Sequence, residues 1–210
     1  MNKGRKLILV GGGGHCKSVL DAAERMDTFE EIVITDPDLS PGSKVLGHEV
    51  TGNDGCLPEL FSSGFEEAFI TVGSIKSTAL RRKLYEKLKK TGFRFPNIID
   101  PSATVSEHAI LRHGIFIGKS AVVNADAEIE NFAIINSGAI IEHECKVGAF
   151  THVAVGTVLC GQVIVGDDCL IGAGSTIIQG KYIGNNAIVG AGSLVIRDIH
   201  SDTLCHGLVK

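Results

Sequence analysis

The 210-residue chain contains no tryptophan, and its aromatic residues together make up only 5% of the sequence. A core without large aromatic side chains has to be filled by Val, Ile, Leu and Ala, which favours many small and regular layers. The chain also lacks any apolar run of about 18 residues, the length that crosses a bilayer as a helix. The sequence therefore predicts no membrane span.

A strong charge bias and paired cysteines are missing as well. The formal net charge is −4, so no basic surface indicates binding to nucleic acid or to a membrane. The six cysteines form no C-x-x-C pair, which favours reduced thiols and argues against a structural zinc. The apolar stretch Leu7 to Val10 is too short for a signal peptide. We therefore expect a cytoplasmic protein.

Residues 1–97 alternate short apolar runs with amphipathic segments. The pattern predicts strands and helices in alternation, with strands at 6–10, 31–35, 68–72 and 93–97 and helices at 16–25 and 78–90. Such alternation is typical of a parallel sheet. We expect a Rossmann-like α/β subdomain over 1–97.

Residues 98–199 follow a different pattern, 17 consecutive hexads without an insertion. The second position of every hexad is Ile, Val or Leu, and the sixth is Ala, Ser, Thr, Cys or Val in 14 of them. Neither an α-helix, with 3.6 residues per turn, nor a hairpin sheet produces a six-residue period. The repeat predicts a parallel β-helix of triangular 18-residue coils, with the second position inside and the sixth at the corners. Residues 200–210 are expected to form a separate C-terminal tail.

Glycine recurs at the third position of many hexads. We expect these glycines to lie beside the corners, where a residue without a Cβ adopts unusual backbone angles at little cost. They are Gly118, Gly148, Gly166, Gly172, Gly184 and Gly190.

Several motifs resemble the sialic acid O-acetyltransferase NeuD family of hexapeptide-repeat acyltransferases, and above all its UDP-4-amino-sugar N-acetyltransferases of bacillosamine synthesis. The motifs are VGGGGH from Val10, NSGAIIEHEC from Asn136, HVAVG from His152, and the closing IGAGS and VGAGS hexads. The resemblance covers nearly the whole chain. It implies a left-handed β-helix, a homotrimer, acetyl-CoA bound between adjacent β-helices, and no metal. Two features depart from the family: Cys16 replaces the last glycine of a G-H-G loop, and the C-terminal end lacks a proline.

The resemblance places the reacting centre at His143 and Glu144. Transfer from a thioester needs a base for the incoming amine or hydroxyl and donors for the developing oxyanion. Imidazole accepts a proton near neutral pH, and a neighbouring carboxylate stabilises the imidazolium. Adjacent side chains point to opposite faces of a straight strand, but a coil corner relaxes that rule. We expect His143 to act as the base and Glu144 to raise its basicity.

Further residues are assigned to acetyl-CoA. The resemblance makes His152 an acetyl-CoA contact, and it aligns Ala173 and Ala191 with positions whose backbone meets the pantetheine arm. Gly161 is expected level with the thioester, where its N–H would serve the oxyanion. Asn136, seven residues before His143, is expected near the acceptor.

The glycine loop after the first strand predicts an anion site, since free N–H groups at a helix N-terminus favour phosphate. In the resembled family this pocket holds the UDP of the acceptor, which assigns Gly13, Gly14 and His15 to it. Asp36, about 20 residues beyond the loop, can reach a ribose or base, and Gly73 lets a nucleotide approach the backbone. The expected acceptor is a UDP-linked 4-amino-sugar.

Three other interpretations stay open. In the first, the enzyme acetylates a sugar hydroxyl, for example that of a sialic acid. In the second, the chain is a non-catalytic β-helix that binds a nucleotide sugar. In the third, it is a metalloenzyme. The last is suggested by His108 and His113, whose five-residue spacing is that of zinc ligands in β-helix carbonic anhydrases. Such a site needs a third histidine on a nearby coil, and the acetyltransferase motif explains His143 better, so no metal is expected.

Overall fold

The computed structural model describes residues 4–74 and 77–210, which form two compact units. The first contains residues 4–73 and 79–98, and the second contains residues 74, 77–78 and 99–210. The division falls one residue after the predicted boundary at 97. Residues 200–210 are also part of the second unit rather than a separate tail.

The first unit is an α/β fold around a five-stranded sheet of order β3-β4-β2-β1-β5. All neighbours pair in parallel except β3 and β4. The strands are β1 Lys6–Val10, β2 Glu31–Thr35, β3 Lys44–Val45, β4 His48–Gly52 and β5 Glu67–Ile70. The helices are α1 Gly14–Arg25, α2 Leu57–Ser62 and α3 Ala79–Thr91, with a short 3-10 turn at Asp54–Cys56.

Hydrophobic runs predicted the buried strands of this sheet and missed its edge. β1 and β2 have the predicted bounds, and their last four residues are buried. The predicted strand at 93–97 is wrong, because only an isolated bridge from Arg94 to Glu67 forms there. The sheet continues instead through β4 and β3, which contain a single valine each and so carry no apolar run. No helix in the described part of the chain is long and apolar enough to cross a membrane.

The second unit is a parallel β-helix of two-residue strands on three faces. The first face contains β6 Ile98–Ile99, β9 Phe116–Ile117, β12 Ile134–Ile135, β15 His152–Val153, β18 Leu170–Ile171, β21 Ile188–Val189 and β23 Leu204–Cys205. The second contains β7 Thr104–Val105, β10 Val122–Val123, β13 Ile140–Ile141, β16 Val158–Leu159, β19 Thr176–Ile177, β22 Leu194–Val195 and β24 Leu208–Val209. The third contains β8 Ile110–Leu111, β11 Glu128–Ile129, β14 Lys146–Val147, β17 Ile164–Val165 and β20 Tyr182–Ile183.

The hexad register is confirmed in the packing. Paired residues are 18 apart, as in Val122 with Ile140, so three hexads make one coil. The second hexad position is buried in every coil from residue 117 to residue 195, and most sixth positions are buried with it. Beyond residue 199 the last coil is shorter than 18 residues, since β21 pairs with β23 and β22 pairs with β24.

The backbone conformation at the corners differs from the one that the third-position glycines predicted. The left-handed backbone falls at the fifth hexad position, with φ between 53° and 68° whether the residue is Gly, Asp, Glu, Gln, Asn, Ser or Phe. The third-position glycines do not have positive φ, so that expectation is wrong. They are required for space, since a Cβ on Gly172 would lie 2.5 Å from the Ala191 nitrogen and one on Gly118 would lie 2.8 Å from the Ser137 nitrogen.

Candidate active site

His143 and Glu144 lie at the corner between the second and third faces, after β13. Their side chains meet, with His143 Nδ1 3.0 Å from Glu144 Oε2. Neighbours in an extended strand would point apart, but Glu144 has a φ of 61°, which turns its side chain towards the preceding ring. Both side chains stay more than half exposed, so solvent and substrate can reach the pair.

The contact sets the proton arrangement on His143. Hydrogen bonds from His143 and then from Gln162 lower the pKa of the Glu144 carboxyl, so it is ionised at neutral pH and can only accept. The neutral ring therefore carries its hydrogen on Nδ1, which donates to Glu144. Its Nε2 keeps a lone pair, which is the arrangement a general base needs.

The next coil packs directly against this pair. A Cβ on Gly161 would lie 2.6 Å from His143 Nε2 and 2.7 Å from Cε1, so the ring occupies space that only glycine leaves open. Within the described residues, no backbone hydrogen bond uses the Gly161 N–H. The packing therefore places Gly161 beside the His143 ring, and its N–H is a candidate oxyanion donor. That Gly161 lies level with the thioester stays a prediction.

Asn136 and His152 lie together on a different side of the β-helix. His152 begins β15 on the first face, and Asn136 follows β12 on the coil below. Asn136 Nδ2 lies 3.2 Å from His152 Nε2, and His152 Nδ1 lies 3.3 Å from the Ser74 carbonyl oxygen. If the amide donates to Nε2, the imidazole donates from Nδ1 to Ser74, which holds the ring in one orientation.

Ala173 and Ala191 also lie on that side, at the corner between the first and second faces. Both are exposed, and the Gly192 N–H donates to the Ala173 carbonyl at 2.8 Å. The predicted site residues of the β-helix thus fall into two groups. His143, Glu144 and Gly161 occupy one corner, and the acetyl-CoA candidates with Asn136 occupy another.

The five predicted acceptor residues of the first unit line one cavity of about 290 Å³. Gly13 is the N-cap of α1, which has neither a side-chain cap nor an acidic residue in its first turn. The amides at that end are therefore suited to an anion. The wall also contains residues that the sequence did not single out, namely Asp38, Asp54, Thr71, Leu80 and Leu84.

Asp36 has a second task in this cavity. One carboxylate oxygen accepts from the Gly12 N–H at 2.6 Å, and the other accepts from the Asp38 N–H at 2.8 Å. Asp36 therefore braces the glycine loop as well as lining the cavity. Gly73 lies across from His15, since a Cβ added to Gly73 would be 3.9 Å from the His15 Cβ.

The remaining candidates do not form a metal site or a disulfide. Among the described residues no group of three His, Cys, Asp or Glu side chains could hold a metal ion. His108 has a 3.8 Å contact with Glu107. The six cysteines are free thiols, and burial raises the pKa of Cys16 to about 11 despite its hydrogen bond with Thr71.

Comparisons with known proteins show the family and the fold of the chain. Residues 6–88 match the family described as PglD N-terminal domain, and residues 162–197 match the hexapeptide repeat of succinyl-transferase. The acetyltransferase domain of PglB from Neisseria gonorrhoeae, solved in complex with acetyl coenzyme A, is 33% identical, with 97% of this chain and 96% of that one covered and a TM-score of 0.90. The chain belongs to the NeuD/PglD-like acyltransferase family. It is an acetyl-CoA-dependent sugar acetyltransferase, and its β-helix is left-handed.

Two further structures can be compared with this acetyltransferase. PerB from Caulobacter crescentus, in complex with CoA and GDP-perosamine, is 34% identical over 96% of this chain and 94% of that one, with a TM-score of 0.76. WeeI from Acinetobacter baumannii is 18% identical over 97% of each chain, with a TM-score of 0.65, and shows the fold alone. A comparison with curated protein sequences gives no significant match.

Proposed function

We propose that the enzyme transfers the acetyl group of acetyl-CoA to the amino group of a UDP-linked 4-amino-sugar, with His143 as the general base. The observation that carries the proposal is the His143–Glu144 contact at 3.0 Å, which leaves Nε2 as the only ring nitrogen able to take a proton. A base at this position would remove the proton from the amine as it attacks the thioester carbonyl. The Gly161 N–H would stabilise the charge on the carbonyl oxygen.

Transfer to nitrogen rather than oxygen is supported by the relatives. A perosamine N-acetyltransferase from Caulobacter crescentus is 33% identical to the chain. Its nucleotide differs from the one proposed here, since the related complex contains GDP-perosamine. The preference for UDP rests on the resemblance of the motifs to the bacillosamine enzymes.

The cavity of the first unit is the proposed acceptor site. The diphosphate would lie at Gly13 and Gly14, where the uncapped end of α1 offers amide donors. The carboxylates of Asp38 and Asp54 line the same cavity, and they suit the hydroxyls of a ribose or the N–H groups of a base. His15 would lie near the sugar.

A homotrimer is part of the proposal. His143 and His152 lie at different sides of one β-helix, so a single protomer does not place the proposed base beside the proposed acetyl-CoA contacts. A neighbouring β-helix can complete the site, because a head-to-tail interface of a closed ring joins two different surfaces. Acetyl-CoA would then bind between adjacent protomers, at His152, Ala173 and Ala191.

The test is thiol release from acetyl-CoA in the presence of a UDP-linked 4-amino-sugar. Replacing His143 with alanine should lower kcat by about 10²- to 10⁴-fold, the usual contribution of a general base. His113→Ala, at an exposed histidine on another corner, is the matched control and should retain activity. Undiminished turnover in His143→Ala would remove the proposed base, and calorimetric binding of UDP against GDP would decide the nucleotide.

A further inference from the structure

Gln162 is bound to the His143–Glu144 pair through both its backbone and its side chain. Its N–H donates to the His143 carbonyl at 2.9 Å. Its side-chain Nε2 donates to Glu144 Oε2 at 3.1 Å, the same oxygen that the His143 ring contacts. Gln162 therefore reaches both members of the pair from the next coil.

The β-helix makes this contact by register. Gln162 follows Glu144 by one 18-residue coil and occupies the same fifth hexad position. Both have left-handed backbones, with φ values of 61° for Glu144 and 64° for Gln162. The shared corner position and backbone conformation place the Gln162 amide beside the Glu144 carboxylate.

We propose that Gln162 is a positioning residue, which holds the Glu144 carboxylate in line with His143 Nδ1 and so keeps Nε2 as the proton acceptor. This inference rests on the proposed function, since it assigns Gln162 a task only if His143 is the base. Gln162 acts through Glu144 and does not itself touch the reacting atoms.

A neutral amide suits this task better than a charged group. A lysine at this position would neutralise the carboxylate and weaken its stabilisation of the imidazolium that forms during proton transfer. A carboxylate would repel Glu144 when ionised. Among the nearby titratable groups, Glu142 and Cys145 belong to the same hexad as the pair, Cys160 belongs to the hexad of Gln162, and Asp126 occupies the fifth hexad position one coil below.

The test replaces Gln162 with methionine, which has a similar length and no hydrogen-bond donor. Loss of a hydrogen bond to a charged group should lower kcat by about tenfold or more, with the KM values for both substrates little changed. The effect should vanish when Glu144 is already alanine, because a residue that acts through Glu144 adds nothing without it. In Gln162→Glu, a second carboxylate beside the ring should move the acid limb of the kcat profile to higher pH.

Asn186→Leu is the matched control for the loss of a corner amide. Asn186 also has a left-handed φ, of 57°, and its amide donates to Asp202 at 3.1 Å, but it lies at another corner. The control should keep kcat within about twofold, a difference below 0.5 kcal/mol. Equal losses of kcat in Gln162→Met and Asn186→Leu would overturn the inference. Losses of kcat that add up when Gln162→Met is combined with Glu144→Ala would overturn it as well. If His143→Ala is fully active, the proposed function fails first; if only Gln162→Met is fully active, the positioning role fails alone.

Discussion

At the scale of single residues, a left-handed backbone brings together two neighbouring side chains that a strand would separate. Glu144 accepts that conformation at φ 61°, although it costs a non-glycine residue about 1 kcal/mol or more. The sequence motif predicted the identity of both residues. It did not predict Gln162, although adding one 18-residue coil to Glu144 would have pointed to it.

Asp100 gives a prediction at the same scale. Its buried carboxylate accepts from the Ser102 N–H and hydroxyl and from Lys119 Nζ, at 2.9, 2.6 and 2.9 Å. Burial raises its pKa, but these bonds outweigh burial and lower the pKa from 3.8 to about 2. Because the pKa of Asp100 is lower in the folded than in the unfolded protein, the carboxylate stabilises the fold at every pH above its unfolded-state pKa. That contribution is lost as the pH falls through the folded-state pKa of about 2.

Asp100→Asn should therefore lower the free energy of unfolding by about 1–2 kcal/mol at neutral pH, after allowance for screening around the half-exposed lysine. The difference from the unaltered protein should stay constant down to about pH 4 and shrink below it. Denaturant unfolding at several pH values measures this. Glu107→Gln, at an exposed carboxylate, is the control, and a constant difference down to about pH 2 would contradict the assignment.

At the scale of elements, the hexad pattern predicted the β-helix because the second position of nearly every hexad is buried inside a coil. The edge of the first sheet escaped prediction because β3 and β4 contain one buried valine each, Val45 and Val50, and so show no apolar run in the sequence. The third-position glycines show a further limit. Their presence was visible in the sequence, but the close approach of the next coil that requires them is a property of the stacked structure.

Two glycine-to-alanine substitutions separate the role of a glycine in the candidate site from the role of a glycine in coil packing. Gly161→Ala would place a Cβ 2.6 Å from His143 Nε2, at the end of a movable side chain. It should lower kcat at least tenfold while changing the unfolding free energy by less than about 0.5 kcal/mol. Gly148→Ala would meet the Asp167 nitrogen at 2.6 Å, so it should cost about 1–3 kcal/mol of stability. Steady-state kinetics and denaturant unfolding compare them, and a reversed pattern would contradict the packing described for His143.

At the scale of the whole molecule, the proposed homotrimer requires that protomers share each active site, because the two groups of candidate residues lie on different sides of one β-helix. A variant that lacks His143 and a variant whose acetyl-CoA surface is blocked by Ala173→Trp should each be inactive. Ala173 is exposed, so tryptophan covers that surface and leaves the interior of the coil unchanged. Co-expressed in random mixture, the two variants should regain about a quarter of full activity, because one interface in four then joins two intact halves.

No recovery in purified mixed oligomers would show that each site lies within one protomer. Each variant carries a different affinity tag, and purification through both tags in turn confirms that the oligomers contain both variants. Two differently tagged copies of the same variant, mixed in this way, are the control and should stay inactive.

The most direct measurement is the chemical nature of the product. Incubation with acetyl-CoA and a UDP-linked 4-amino-sugar should give a sugar nucleotide heavier by one acetyl group, whose new bond is an amide and survives mild alkali. An alkali-labile ester, or transfer only to a sugar without a nucleotide, would contradict the account.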